Sequence, residues 1–230
     1  MNVFHKPISE QGPYAHPFSG KLVPILNAQP HHIHWRDIAI MLGGIPRFNR
    51  GTTVAYYVAQ HLVYALDITR LAVNRPMWMA TLLSIVPEKS DQTALHKFIQ
   101  CLGQDDELAR QVYLAVLIHD AHEYITGDIT RPMGKAIEII AGINVLDPIK
   151  TALDQAIYPS AGLPWPLPAN WKILITAVDD VMLAMEKRDL LLESDEGRDI
   201  PISASFAIKP VPESQATDMF LNRFLELRRP

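Results

Sequence analysis

Apolar side chains recur at three- and four-residue intervals through most of the chain, and no stretch alternates apolar with polar residues long enough to demand a sheet. Over residues 53–74, Val54, Val58, His61, Leu62, Ala65 and Ile68 keep these spacings, which predicts an amphipathic helix with His61 on its apolar face. Pro76 ends that helix, and residues 77–86 form a second short helical piece. A helix over 35–42 comes first, stopped by Gly43, Gly44 and Pro46. Leu108, Val112, Tyr113 and residues 115–118 predict a buried helix that ends on His119 and Asp120. Residues 136–157 read as helical with breaks at Gly142 and Pro148, the proline run 164–168 as a loop, and residues 171–193 as the last long core helix. A final helix runs through Glu226. Residues 88–106 are more polar and weakly patterned, so an insertion or mobile loop is expected there. The expected fold is all-α, one domain over 1–230 with a core at about 35–193, an irregular arm at 1–34 and an extension at 194–230.

Composition narrows the function classes. The 230 residues suffice for one substantial core, and 48% hydrophobic with 20% charged residues describes a folded globular chain. A net charge of -4, with both signs interspersed, gives no basic field to draw in a phosphate backbone, so no nucleic-acid partner is expected. A small anion needs only a few local cations. The single cysteine, Cys101, excludes an intramolecular disulfide framework and fits a reducing cytoplasm. Residues 1–21 hold no run of signal-peptide length, and no later stretch reaches the roughly 18 apolar residues of a membrane span. The expectation is a cytoplasmic protein with no membrane partner, and a homodimer is left open.

The chemistry gathers around His119 and Asp120. Set at the end of a buried run, they face a desolvation cost unless they are paired or bound to a cation. Two ligands leave a coordination shell mostly open, and His61 and Asp179 each sit within otherwise apolar helical stretches from which they can join. Two imidazoles and two carboxylates suit a divalent ion such as Mn, Fe, Co, Ni, Zn or Mg. Such an ion lowers the pKa of water and polarises a phosphorus centre.

Three strings then bear a resemblance. RFNRGTTVAYYVAQH (47–61), HDAHEYITGDITRP (119–132) and AVDDVMLAMEKRDL (177–190) carry the H…HD…D order of the HD-domain metal-dependent phosphohydrolases. More narrowly, they resemble the branch of bacterial 5′-deoxynucleotidases and phage deoxynucleoside triphosphohydrolases. The resemblance implies an HD-domain helical bundle with His61, His119, Asp120 and Asp179 as metal ligands. It implies that Arg47 contacts phosphate and that Glu123 and Asp128 position or activate the attacking water. Asp179 is preferred over its neighbour Asp180 because its spacing of seven to Glu186 matches the family string. The chain departs from the pattern at Leu62, where a serine is usual, and at Gly134, where the lysine falls one place later at Lys135. The implied substrate is a (deoxy)nucleoside 5′-monophosphate, cleaved to nucleoside and phosphate. Triphosphate hydrolysis and an inactive nucleotide-binding regulator are the alternatives. His122, between two motif residues, reads as an outward or supporting group. His31, His32 and His34 read as a loop bordering the cleft, and Phe48 and the Trp165 region as candidates to stack on a base.

Overall fold

A computed structural model describes residues 12–192 and 206–228. Among them are ten α-helices and one small antiparallel ladder, so the chain is all-α. The ladder pairs β1 (Tyr14–Ala15) with β2 (Val23–Pro24). The helices are α1 (Trp35–Gly44), α2 (Val58–Asn74), α3 (Pro76–Ile85), α4 (Lys89–Leu102), α5 (Asp106–Leu117), α6 (Glu123–Thr126), α7 (Arg131–Ala141), α8 (Leu146–Ser160), α9 (Ala169–Leu190) and α10 (Glu213–Arg228). None is long and apolar enough to cross a membrane.

Helix α2 lies at the centre because it is apolar nearly all round: Ala59, Leu62, Ala65, Leu66 and Ile68 are fully buried beside His61. It packs against α1, α3, α5, α9 and α10. The C-terminal α10 closes the bundle with Ala216, Phe220, Phe224 and Leu227, and Phe224 stacks on Trp35 with ring centroids 4.0 Å apart. Local chemistry sets the boundaries. Arg75 is held extended before Pro76, which then opens α3 at a position where its missing N–H costs nothing. The Asp105 side chain accepts the Leu108 amide at 2.9 Å and caps α5. Gly142 closes α7 at φ 70, a left-handed conformation that glycine adopts without strain.

Four expectations change. Pro148 does not break its helix: it is the third residue of α8, in the first turn, where its missing N–H costs nothing. Residues 88–106 are not a loop: α4 fills most of them and buries Leu95, Phe98, Ile99 and Leu102. Those four apolar residues keep a helical spacing, but the polar residues between them mask it, as on any helix with one face in water. Helix α2 begins at Val58 rather than near residue 53, because residues 51–57 are bound elsewhere. There, Thr53 N donates to the Leu190 carbonyl, and Pro46 and Tyr57 form a bridge. Finally, α5 stops at Leu117, with Ile118 outside helical geometry at φ -112, ψ 12. His119 and Glu123 therefore do not share one continuous helix; a run of turns carries residues 118–122 into α6.

Candidate metal centre

Three segments meet at one point. Helix α2 brings His61, the turn after α5 brings His119 and Asp120, and α9 brings Asp179; one ligand atom from each lies within 4.8 Å of every other. His61 Nε2 is 3.4 Å from Asp179 Oδ1 and 3.9 Å from Asp120 Oδ2. His119 Nε2 is 3.3 Å from Asp120 Oδ2 and 3.9 Å from Asp179 Oδ1. Around an ion with bonds of about 2.1 Å, donors at right angles stand about 3.0 Å apart, tetrahedral ones about 3.4 Å and opposite ones about 4.2 Å. All four separations fall in that span.

The imidazoles are already oriented as ligands. His61 Nδ1 lies 2.7 Å from Glu186 Oε1, and His119 Nδ1 lies 2.8 Å from the Val116 carbonyl. A carbonyl has no proton to give, and Glu186, ionised against Arg47, only accepts, so both Nδ1 atoms carry the hydrogen. Each Nε2 faces inward, buried and without a hydrogen-bond partner, and in the neutral ring it presents a lone pair there. A buried acceptor left open is costly unless something binds it, and a histidine held by its other nitrogen is the usual support of a metal ligand. The donor set thus fits a divalent ion.

Electrostatics favours a cation at the same point. Burial opposes protonation of His119, but Asp120 and Asp179 outweigh it and push its pKa up to about 9. Burial and Arg47 likewise oppose protonation of His61, yet Glu186 and Asp179 prevail and raise its pKa. Burial would raise Asp120 and Asp179, but the histidines beside them hold both below the usual carboxylate range. A field that draws protons onto two imidazoles draws a divalent cation more strongly.

Arg47 is placed by a strained turn. Phe48, Asn49 and Arg50 have positive φ of 55, 51 and 68, a conformation that costs side-chain-bearing residues about 1–3 kcal/mol each. The turn is held by the Arg47 amide on the Tyr56 carbonyl at 2.8 Å and by the Phe48 amide on Asp128 Oδ2 at 3.1 Å. Inward, Arg47 Nε and Nη2 donate to Glu186 Oε2 at 3.2 and 2.9 Å, while Nη1 stands 4.0 Å from Asp120. Glu186 is fully buried, and burial alone would raise its pKa; Arg47 and His61 hold it low instead.

A cavity of about 630 Å³ opens in front of this cluster. Its walls include Arg47, Phe48, Asp120, Glu123, Asp128 and Asp179, with Arg131, Lys150 and Lys187 adding positive charge. Glu123 is buried with Oε2 unpartnered; burial first, then Asp120 and Asp128, push its pKa well up. Burial also raises Asp128, against the pull of Arg47.

Of the seven residues singled out in the sequence, Arg47, Asp120, Glu123, Asp128 and Asp179 line the cavity, and His61 and His119 cluster with Asp120 and Asp179; three others were given too small a part. Glu186, noted only for its spacing, ties Arg47 to His61. Arg131 Nη2 donates at 2.8 Å to both Asp179 Oδ2 and Asp180 Oδ1, so Asp180 pairs with Arg131 while Asp179 alone of the two joins the metal cluster. His122 points inward: it is 5% exposed, its Nδ1 lies 3.1 Å from Asp154 Oδ1, and its Nε2 is buried without a partner. His31, His32 and His34 are not among the residues lining the cavity, and Trp165 stacks on Tyr158 with centroids 5.1 Å apart, away from that lining. Phe48 lies in the wall, as a stacking group requires.

The helical fold and its His/Asp cluster are compatible with an HD-like domain. No known family matches the chain in a direct comparison. It is similar to an uncharacterized protein of Rhodobacter capsulatus, 28% identical over 209 residues that span 86% of this chain and 88% of that one.

Proposed function

We propose that the protein is a metal-dependent phosphohydrolase of the HD type that cleaves a (deoxy)nucleoside 5′-monophosphate to nucleoside and phosphate. The observation that carries this reading is the convergence of two buried, unpartnered Nε2 atoms and two carboxylates beside a cavity lined by both basic and acidic side chains. The choice of substrate rests on the resemblance of the 47–61 and 119–132 strings to 5′-deoxynucleotidases.

His61, His119, Asp120 and Asp179 would hold the ion, which supplies Lewis acidity toward a phosphoryl oxygen and lowers the pKa of water. Arg47, fixed to Glu186 through Nε and Nη2, lines the cavity, and its remaining Nη1 would receive a phosphate oxygen. Lys150 and Lys187 would offset the remaining phosphate charge, while Arg131 holds Asp179 and Asp180. Asp128, anchored by the Phe48 amide, and Glu123 stand on the wall where they orient the attacking water. Phe48 offers a ring face to the base.

A second reading has its own support. Lys150 and Lys187 line the cavity beyond Arg47 and can meet the further phosphates of a triphosphate, with nucleoside and triphosphate as products. One screen separates the readings: protein reconstituted with Mn²⁺ or Co²⁺, incubated with nucleoside mono-, di- and triphosphates, with products identified and His119→Ala as control. Phosphate released from monophosphates, abolished in the variant, is the expected result. Triphosphate released from triphosphates favours the second reading. Nucleotide binding without turnover would make the protein a regulator and refute the enzyme.

A further inference from the structure

We propose a second metal site, formed by Asp120, His122 and Glu123, that shares Asp120 with the first and makes the centre dinuclear. The proposal deepens the reading above and rests on it for the role of Asp120 as a shared ligand.

One ligand atom each from Asp120, His122 and Glu123 lies within 4.8 Å of the other two. The strongest indication is the state of His122. Its Nδ1 is 3.1 Å from Asp154 Oδ1, a carboxylate that accepts the Nδ1 hydrogen and leaves the lone pair on Nε2. That Nε2 is buried, points to no hydrogen-bond donor, and belongs to a residue 5% exposed. Carboxylate, histidine and open Nε2 in series is the arrangement that supports metal-bound imidazoles. His61 shows the same order with Glu186, and His119 shows it with the Val116 carbonyl in place of the carboxylate. Three imidazoles are thus set in one way: outer nitrogen tied, inner nitrogen free.

Glu123 adds an independent observation. Its Oε2 is buried and unpartnered, and the residue is 5% exposed. A buried carboxyl oxygen with no donor against it is an unsatisfied polar atom inside the protein. A cation between Glu123, His122 and Asp120 satisfies both orphaned atoms at once. Asp120 suits a bridging role because its Oδ2 already faces His61 and His119, and a carboxylate has a second oxygen to offer. Paired ions in hydrolytic centres sit about 3.5–4 Å apart, a distance that one carboxylate spans. Such a pair would clamp the phosphoryl group from two sides. Glu123 would then hold the second ion, leaving Asp128 as the carboxylate that orients water.

Metal content and spin coupling test this without reference to turnover. Protein stripped with chelator, titrated with Mn²⁺ and dialysed, is expected to retain two ions per chain and to show a coupled two-manganese signal by electron paramagnetic resonance. His122→Ala should retain one ion with an uncoupled signal. Asp154→Asn, which keeps the shape of the site, should bind the second ion about 10–100-fold more weakly with the first unchanged, and it serves where His122→Ala fails to fold by circular dichroism. A single ion in the wild type, lost in His61→Ala but untouched in His122→Ala or Asp154→Asn, overturns the second site and leaves the first standing. Wild-type protein that retains no Mn²⁺ overturns both.

Discussion

Replacing Glu186 with glutamine probes the link between α9, the strained turn and the metal centre. The carboxylate serves two partners: Oε1 takes the His61 Nδ1 hydrogen at 2.7 Å, and Oε2 takes Arg47 at 2.9 and 3.2 Å. An amide has one oxygen and cannot serve both. If that oxygen turns to Arg47, the NH₂ group faces His61 and moves the ring hydrogen to Nε2, where it blocks a metal bond. If the oxygen turns to His61, the NH₂ opposes a buried guanidinium. Removing one partner of a buried ion pair costs about 3–5 kcal/mol, and about 2–4 °C of Tm follows each kcal/mol in a chain of this size. Glu186→Gln should therefore melt at least about 6 °C lower and bind Mn²⁺ about 10–100-fold more weakly. Thermal unfolding without metal and calorimetric titration with Mn²⁺ read the two effects separately. Because the folded pKa of Glu186 lies below its unfolded value, the wild type keeps this stabilisation above about pH 4.5 and loses it as pH falls through the lowered value. A glutamine variant with wild-type affinity and Tm would refute the idea that Glu186 sets the His61 tautomer.

Other consequences follow from the same geometry. His119, with a folded pKa of about 9 against 6.5, stabilises the metal-free protein by about 3 kcal/mol below pH 6.5 and loses that as pH rises through 9; Tm measured across that window should fall. At pH 7–8 Mn²⁺ binding should release a proton from His119, visible as a dependence of the apparent binding enthalpy on the ionisation heat of the buffer. Asp179→Asn should lose most Mn²⁺ affinity, whereas Asp180→Asn, which gives up only an ion pair to the largely exposed Arg131, should change stability by about 1 kcal/mol or less and leave metal binding intact. Leu95→Ala should destabilise the fold by about 2–5 kcal/mol in chemical denaturation, as a fully buried residue of α4 and unlike a loop residue.

Much of this was legible in the order of residues. The long apolar periodicities gave α2, α5 and α9, and their polar exceptions, His61 and His119 with Asp120, pointed to the cluster that could hold a metal, because a buried polar residue on an apolar face needs a partner; Asp179 was chosen over Asp180 by the family string. Helix α4 was hidden because its four buried positions are diluted by polar ones. His122 was hidden for a different reason. It lies between two motif residues, and its type alone does not show that a carboxylate from another helix holds it. Asp154, which orients His122, lies on α8, 32 residues away in sequence, and carries no motif. Glu186 and Arg131 were visible as residue types, but a buried ion pair spanning 139 residues, or one guanidinium shared by two adjacent aspartates, is a property of packing.

Crystals soaked in Mn²⁺ or Co²⁺ and measured at the absorption edge of that metal locate the ion itself. An anomalous peak about 2.1 Å from His61 Nε2 and His119 Nε2, and in contact with Asp120 and Asp179, is the predicted result. A peak elsewhere, or none at millimolar metal, would contradict the convergence on which the functional reading depends.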